Sequence, residues 1–355
     1  MKRIIAVTLI LLAAASALAG MEGRLLRQPH INGNTVVFMY GGDIYTVPLQ
    51  GGAAEKLTSF KGYEVFPKFS PDGKWIAFSG EYGGTRQVYI IPAQGGIPKQ
   101  VTFYPDVGNM PPRGGWDKLA YDWTPDSKKI LVRANRTPHG NRIGKYFLVD
   151  PFTEGLATPL QIPEAGPGSF SPDAKKVSYS IKSREFRTWK RYQAGFAPDV
   201  WVYDLENNEI QRITDYAGTD NFPMWIGDDI YFNSDRESVT SEEPHTLNIY
   251  KYNLADKKMT KVTDYTYFDV MRPSRGRGGI VFEKGGYLFH LDPETDTVRK
   301  IEVTIHEDLP FRNAEYKYVS RWVDSFAASP NANRVLFSAR GALFSVPEEH
   351  GPVRN

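Results

Sequence analysis

Of 355 residues, 41% are hydrophobic and 24% charged, the balance of a folded globular chain and not of a disordered or low-complexity one. Lys and Arg total 43 against 41 Asp and Glu, so the net charge of +2 gives no global electrostatic ground for a nucleic-acid or anionic-membrane partner. With no cysteine, thiol catalysis, thiolate metal sites and disulfides are all excluded.

The first twenty residues read MKRIIAVTLILLAAASALAG: basic Lys2-Arg3, an apolar run from Ile4 to Ala15, then Ala17-Leu18-Ala19 with small residues where a signal peptidase cuts. This pattern predicts a signal peptide over residues 1–19, cleaved after Ala19. An uncleaved anchor is the alternative, but an apolar stretch of about 16 residues is short for a span of roughly 20. The expected location is the periplasm of a Gram-negative bacterium or the exterior, with no membrane attachment after cleavage.

From residue 20 onward the chain repeats itself. FSPDGKWIAFSG (Phe69 to Gly80) returns as WTPDSKKILVRA (Trp123 to Ala134), FSPDAKKVSYSI (Phe170 to Ile181) and ASPNANRVLFSA (Ala328 to Ala339), with a weaker copy in RPSRGRGGIVFEKG from Arg272. Pro fixes φ, the Asp or Asn accepts backbone hydrogen bonds, and a small residue follows, so each copy reads as a tight turn entering an apolar strand. Asp72, Asp126 and Asp173 are therefore turn residues, not catalytic ones. A third strand of alternating apolar and aromatic residues follows (DIYTVP from Asp43, QVYIIP from Gln87, KYFLVD from Lys145, DVWVYD from Asp199, NIYKYN from Asn248, GYLFHL from Gly286). A short fourth strand closes each unit, ending at Thr58, Thr102, Leu160, Thr214, Thr263 and Val303.

Four short antiparallel strands in a unit of roughly 40 to 50 residues predict a propeller blade. The fold class is all-β: a six-bladed β-propeller of four-stranded antiparallel blades over 20–303, a connector over 304–323, and the start of a second propeller over 324–355, whose first blade is incomplete. That last repeat matches Gly42 to Thr58 step for step and stops at Asn355, which reads as a chain cut short within a blade, leaving Val335, Phe337, Leu343 and Phe344 without cover. Because blade 1 has its own innermost strand and blade 6 its own outermost one, the ring is expected to close by side-chain packing alone, with a seam open to local exchange.

Residues for chemistry are sparse. The six histidines stand in six separate contexts with no HExxH or HxH pair, and His290, alternating with Tyr287 and Phe289, reads as structural. There is no G-x-S-x-G elbow and no phosphate loop; GNRIGKY from Gly140 fails the latter on spacing and final hydroxyl. No catalytic, metal or cofactor-binding residue is assigned. Two stretches interrupt the repeat. REFRTWKRY, with Arg184, Arg187, Trp189, Lys190 and Arg191, either caps blade 4 with its aromatics or presents a contact surface for a peptide or neighbouring domain. YPDVGNMPPRGGWDKLAYDW from Tyr104 carries one guanidinium, Arg113, either an ordinary exposed cation or a bidentate partner for a peptide carboxylate.

With PHINGNTVVFMYGGDIYTVP, FPKFSPDGKWIAFSGEYGG, MPPRGGWDKLAYDWTPD, REFRTWKRYQAG and DNFPMWIGDDIYF in that order, the chain resembles the amino-terminal six-bladed propeller of tricorn protease and its bacterial homologues. The resemblance implies a large serine peptidase acting on short peptides, in which a seven-bladed propeller, a PDZ domain and catalytic domains follow and the subunits form a hexameric ring. Its nucleophile and histidine lie in those later domains, with no counterpart in residues 1–355. It also implies a passage for peptides through this propeller, with a basic pair between blades two and three holding the substrate carboxylate; here Arg113 is followed by Gly114. A stand-alone periplasmic binding propeller of the Tol kind is the alternative, and the propeller of a prolyl-oligopeptidase-like hydrolase a third.

Overall fold

The computed structural model describes residues 20–104, 118–135, 144–153, 155–182, 195, 197–236, 246–306 and 318–354. The chain divides into two compact units, Met1–His306 and Glu307–Asn355.

In the first unit, six four-stranded antiparallel sheets follow one another in sequence order, each beginning at its innermost strand: Arg27–Asn32, Val65–Phe69, Leu119–Trp123, Gly168–Phe170, Asp220–Ile226 and Met271–Gly276. We call these sheets blades 1 to 6. Neighbouring inner strands touch in turn, and the last touches the first, so the ring closes. Period-2 alternation is lost in the second strands because blades stack on both faces: Ile76, Ala77 and Phe78 are consecutive and all buried. The core is accordingly divided among the blade boundaries. Val37, Ile44, Ile76 and Phe78 join blades 1 and 2, and Val200, Val202, Ile230 and Phe232 join blades 4 and 5.

Two polar devices recur. In the Pro-Asp turns, Ser70 Oγ donates to Asp72 Oδ1 at 2.6 Å while the Lys74 amide donates to the same oxygen at 3.1 Å, and Thr124–Asp126 and Ser171–Asp173 repeat the arrangement. The Ser171 hydroxyl and the Lys175 amide hold the Asp173 carboxyl below the usual carboxylate range, as expected of a turn acceptor. The second device locks the fourth strand. The buried hydroxyls of Thr58, Thr102, Thr214 and Thr263 accept the amides of Ile44, Val88, Val200 and Ile249 at 2.9, 2.9, 3.0 and 2.9 Å. Each hydroxyl then donates onward, to Gln87, Asp199 and Asn248 in blades 2, 4 and 5. Blade 1 differs: Thr58 donates to Glu64 Oε2 at 2.8 Å, while Asp43, the residue matching Gln87, pairs with Lys56 at 2.7 Å. Burial, with Asp43 close by, pushes the Glu64 carboxyl up to about 7.

The seam between blades 6 and 1 departs from the sequence expectation. Each blade does keep its own four strands, but closure is not by side chains alone. Met21–Glu22 pairs antiparallel with Val303–Ile305, which pairs parallel with Gly52–Ala53 in a small three-stranded sheet outside the blades. Gly52 N donates to Glu302 O at 2.8 Å, Ala54 N to Thr304 O at 2.8 Å and Gly33 N to Arg277 O at 2.5 Å. The physical reason is that the segments entering and leaving the ring carry backbone donors and acceptors that the blades leave unpaired, and they pair with each other beside the buried Val303 and Ile305. Leu26, Phe38 and Tyr45 also share one core with Leu288, Ile301 and Val303.

In the second unit, Val323–Ala328, Arg334–Ala339 and Ala342–Pro347 form one three-stranded antiparallel sheet; in its turn Ser329 Oγ donates to Asn333 Oδ1, four residues on, and accepts the Arg334 amide as Ser70 Oγ accepts that of Trp75. Phe326, Leu336 and Leu343 are exposed on it, whereas Val335, Phe337 and Phe344 are half-buried.

The seam gives a prediction. The Gly52 and Ala54 amides exchange as slowly as amides at the other blade boundaries. At Gly276 a Cβ would run into the Ile31 carbonyl of blade 1, so Gly276→Ala lowers stability by about 1–3 kcal/mol and speeds exchange at the seam first. Exchange at Gly52 and Ala54 as fast as in an exposed loop contradicts the stitched closure.

Candidate functional site

Six inner strands facing one axis crowd it, and the sequence meets this with bulges. The pairing register slips between Arg27 and His30, Val65 and Lys68, Asn221 and Met224, and Met271 and Ser274. At each slip stands a residue with positive φ followed by proline: Gln28 (53°), Phe66 (55°), Phe222 (53°) and Arg272 (45°). Proline donates nothing to a ladder and belongs at a bulge, and the strained residue before it re-aims the chain. Strands that would alternate now turn successive side chains toward the axis. In blade 3 the slip falls between Ala120 and Asp122 without a proline, and blade 4 carries Ser169 at the matching place.

Two cavities lie along the axis. The one on the side where the inner strands begin is about 30 Å³, bounded by parts of all six inner strands, Gln28, Phe66, Tyr121, Gly168, Phe222 and Arg272 among them. The one on the side where they end is about 300 Å³, bounded by residues such as Asn32, Pro71, Pro125, Pro172 and Ile226. Asp122 and Arg275 border both. Among the described residues, the charged groups lining the two are Lys68, Arg272, Arg275 and Arg277 against the single carboxylate of Asp122. Arg272 Nη1 donates to Glu283 Oε1 at 2.8 Å, and Arg27 Nη1 to Glu283 Oε2 at 2.8 Å, behind the inner strand of blade 6.

His30 is a buried group on the same axis. Its Nδ1 accepts the Phe69 amide at 3.2 Å, which places the neutral ring's proton on Nε2. Burial, followed by the charges of Lys68 and Arg275, holds its proton affinity well below that of ordinary imidazole. His290, by contrast, is bonded to the Gly278 carbonyl at 2.7 Å within blade 6, a structural contact.

None of the site residues read from the sequence is among these. Arg113 and the loop residues Arg184, Arg187, Trp189, Lys190 and Arg191 lie outside the described residues, as does the stretch 1–19. The axial set was missed, although one signal was present: X-Pro at one phase of the repeat in Gln28-Pro29, Phe66-Pro67, Phe222-Pro223 and Arg272-Pro273.

The class defined by this geometry is an all-β propeller with a cation-rich cavity on its axis. Residues 23–297 match the family model described as the tricorn protease N-terminal beta propeller domain, and the chain belongs to that family. It is 26% identical over 332 residues to tricorn protease homolog 1 of Streptomyces coelicolor, covering 93% of this chain and 29% of that protein. A putative tricorn-like protease N-terminal subunit of Sulfurisphaera tokodaii is 31% identical over 194 residues, 53% of this chain and 90% of the subunit. In structure, the chain superposes on tricorn protease with a TM-score of 0.70 at 21% identity, over 94% of this chain and 31% of that one. It thus spans less than a third of the full-length homologue it matches.

For His30, a folded-state proton affinity below the ordinary value near 6.5 means that the ring's contribution to stability is present above that pH and lost as the pH falls below it. Nitrogen-15 NMR of the ring shows a neutral Nε2–H tautomer still at pH 5.5; a titration centred near 6.5 contradicts the buried, positively biased setting.

Proposed function

We propose that the chain is the non-catalytic amino-terminal propeller of an exported tricorn-like serine peptidase, that its axis takes part in passing or gating short peptides, and that its outer surface docks the later domains of the same polypeptide. The observation that carries this reading is that the family match spans the ring while the ring leaves a cation-lined cavity on its axis. Peptides end in a carboxylate, and a positive, partly desolvated passage favours that end. Chemistry then belongs to residues beyond this chain, in peptidase domains flanking a PDZ domain, with a second propeller between and a hexameric ring of complete chains. Arg113 and the basic-aromatic loop from Arg184 to Arg191 are assigned to peptide and domain contacts on the same reading. Nothing beyond the shared fold favours a stand-alone Tol-type binding propeller.

Export places the complete protein in the periplasm or outside the cell. Cleavage after Ala19 leaves the seam-stitching strand Met21–Glu22 at the mature amino terminus. Mass spectrometry of the exported protein then finds Gly20 first; a mature chain that retains Met1 removes the cleaved signal peptide and leaves the anchor alternative. Function is tested on the complete polypeptide. It hydrolyses short peptides, and Arg113→Ala lowers kcat/KM for free-carboxylate peptides about tenfold, the worth of one charge-assisted hydrogen bond, while amidated peptides are spared. A complete polypeptide without peptide hydrolysis contradicts the reading, and equal losses on both peptide classes remove Arg113 from it.

A further inference from the structure

Arg275 leaves the inner strand of blade 6 and ends on blades 3 and 4. Its Nη2 donates to Asp122 Oδ2 at 2.7 Å and to the Phe170 carbonyl at 3.1 Å, and its Nε to Ser169 Oγ at 2.8 Å. Asp122 is itself held in place: Oδ2 also accepts the Phe170 amide at 2.9 Å and Oδ1 the Trp123 amide at 2.9 Å. A second cation crosses nearby, Lys68 Nζ of blade 2 donating to Ser274 Oγ of blade 6 at 2.5 Å.

These contacts form a bar across the axis. Asp122 and Arg275 are the shared wall of the two cavities, and the smaller, about 30 Å³, holds no more than a water or two. No peptide threads the ring in this arrangement. The bar is made of one carboxylate and a guanidinium, with an ammonium beside them, inside a cavity where cations outnumber carboxylates. Asp122 therefore occupies the place that a ligand carboxylate would take.

We propose that the Asp122–Arg275 pair is a latch on the axial passage and that a peptide carboxylate opens it by entering from the larger cavity and replacing Asp122 on Arg275, with Lys68 as the second cation. This deepens the peptide-passage reading and rests on it. Through the exchange Arg275 keeps a carboxylate partner, and Asp122, released from Arg275, keeps the Trp123 and Phe170 amides, while the added negative charge is met by the surplus cations of the cavity. The ligand chemistry is a carboxylate; a chain terminus and an acidic side chain both supply one, and the test separates them.

The chain is titrated with three probes: N-acetyl-trialanine as the free acid, the same peptide as its amide, and an amidated peptide with one glutamate. Calorimetry reads binding at low and high salt. The free acid binds, the plain amide does not, and the glutamate amide binds only if any carboxylate suffices; either glutamate result supports a carboxylate latch and assigns its source. Asp122→Asn, which removes the internal competitor and keeps an acceptor for the Phe170 amide, tightens free-acid binding about tenfold, and Arg275→Gln abolishes it. Equal binding of acid and plain amide, unchanged or weaker binding by Asp122→Asn, or binding that survives Arg275→Gln overturns the proposal. Should either variant fail to fold, the wild-type Arg275 Nε–H resonance decides: it shifts with the free acid and not with the amide, and an unmoved resonance overturns the latch. Because binding is read on the chain alone, a negative result leaves the peptidase reading intact, and a complete polypeptide without hydrolysis would leave a measured carboxylate site standing.

Discussion

No blade of this chain can bury its own faces. A four-stranded sheet with Ile76, Ala77 and Phe78 in succession needs an apolar neighbour on each side, and the neighbour needs another in turn. The only end to that demand is a closed ring, so the contact that joins blade 6 back to blade 1 governs the rest. There Gly276 lies so close to the Ile31 carbonyl that no Cβ fits, and Leu26, Phe38, Leu288 and Val303 fill one shared core. Deleting a buried leucine from such a core costs about 2–5 kcal/mol, a large part of the stability of a domain.

Closure has a consequence at the axis. Inner strands from six directions leave little room, and the four X-Pro bulges turn polar and aromatic side chains inward where a regular ladder would have pointed alternate ones away. The strain at Gln28, Phe66, Phe222 and Arg272 is thus tied to the axial cavity and not to the blades as such. The two blades without that bulge, 3 and 4, supply Asp122 and Ser169, the groups that receive Arg275. The departure from repeat symmetry coincides with the contact that Arg275 makes across the axis.

Local chemistry made most of the fold legible in the sequence. Ser-Pro-Asp turns announce themselves because Pro sets φ and Asp accepts the next amides, and the structure has Asp72, Asp126 and Asp173 in that role. Third strands such as QVYIIP were readable from their β-branched and aromatic content. What was hidden depends on partners far apart in the chain. Val303–Ile305 finds Met21–Glu22 across the whole ring, and Arg275 finds Asp122 over 153 residues. The threonine locks fall between: the Ile-Thr and Val-Thr pairs were visible as strand ends, but the two-sided bonding of Thr102 or Thr263 emerges only when the strands are side by side. Glu64 is a further case, a carboxyl that replaces the neighbouring acceptor used by blades 2, 4 and 5 and becomes buried in doing so.

The account rests on the axis of the ring as a route for peptides, and one measurement addresses that directly. Ile226 borders the larger cavity and makes no contact in the bar. In the complete polypeptide, Ile226→Cys is converted to a bulky mixed disulfide, residues 1–355 contributing no other cysteine, and hydrolysis of short peptides is followed before and after reduction. The account predicts that turnover falls on modification and returns when reductant removes the plug. Full turnover with the plug in place would contradict it.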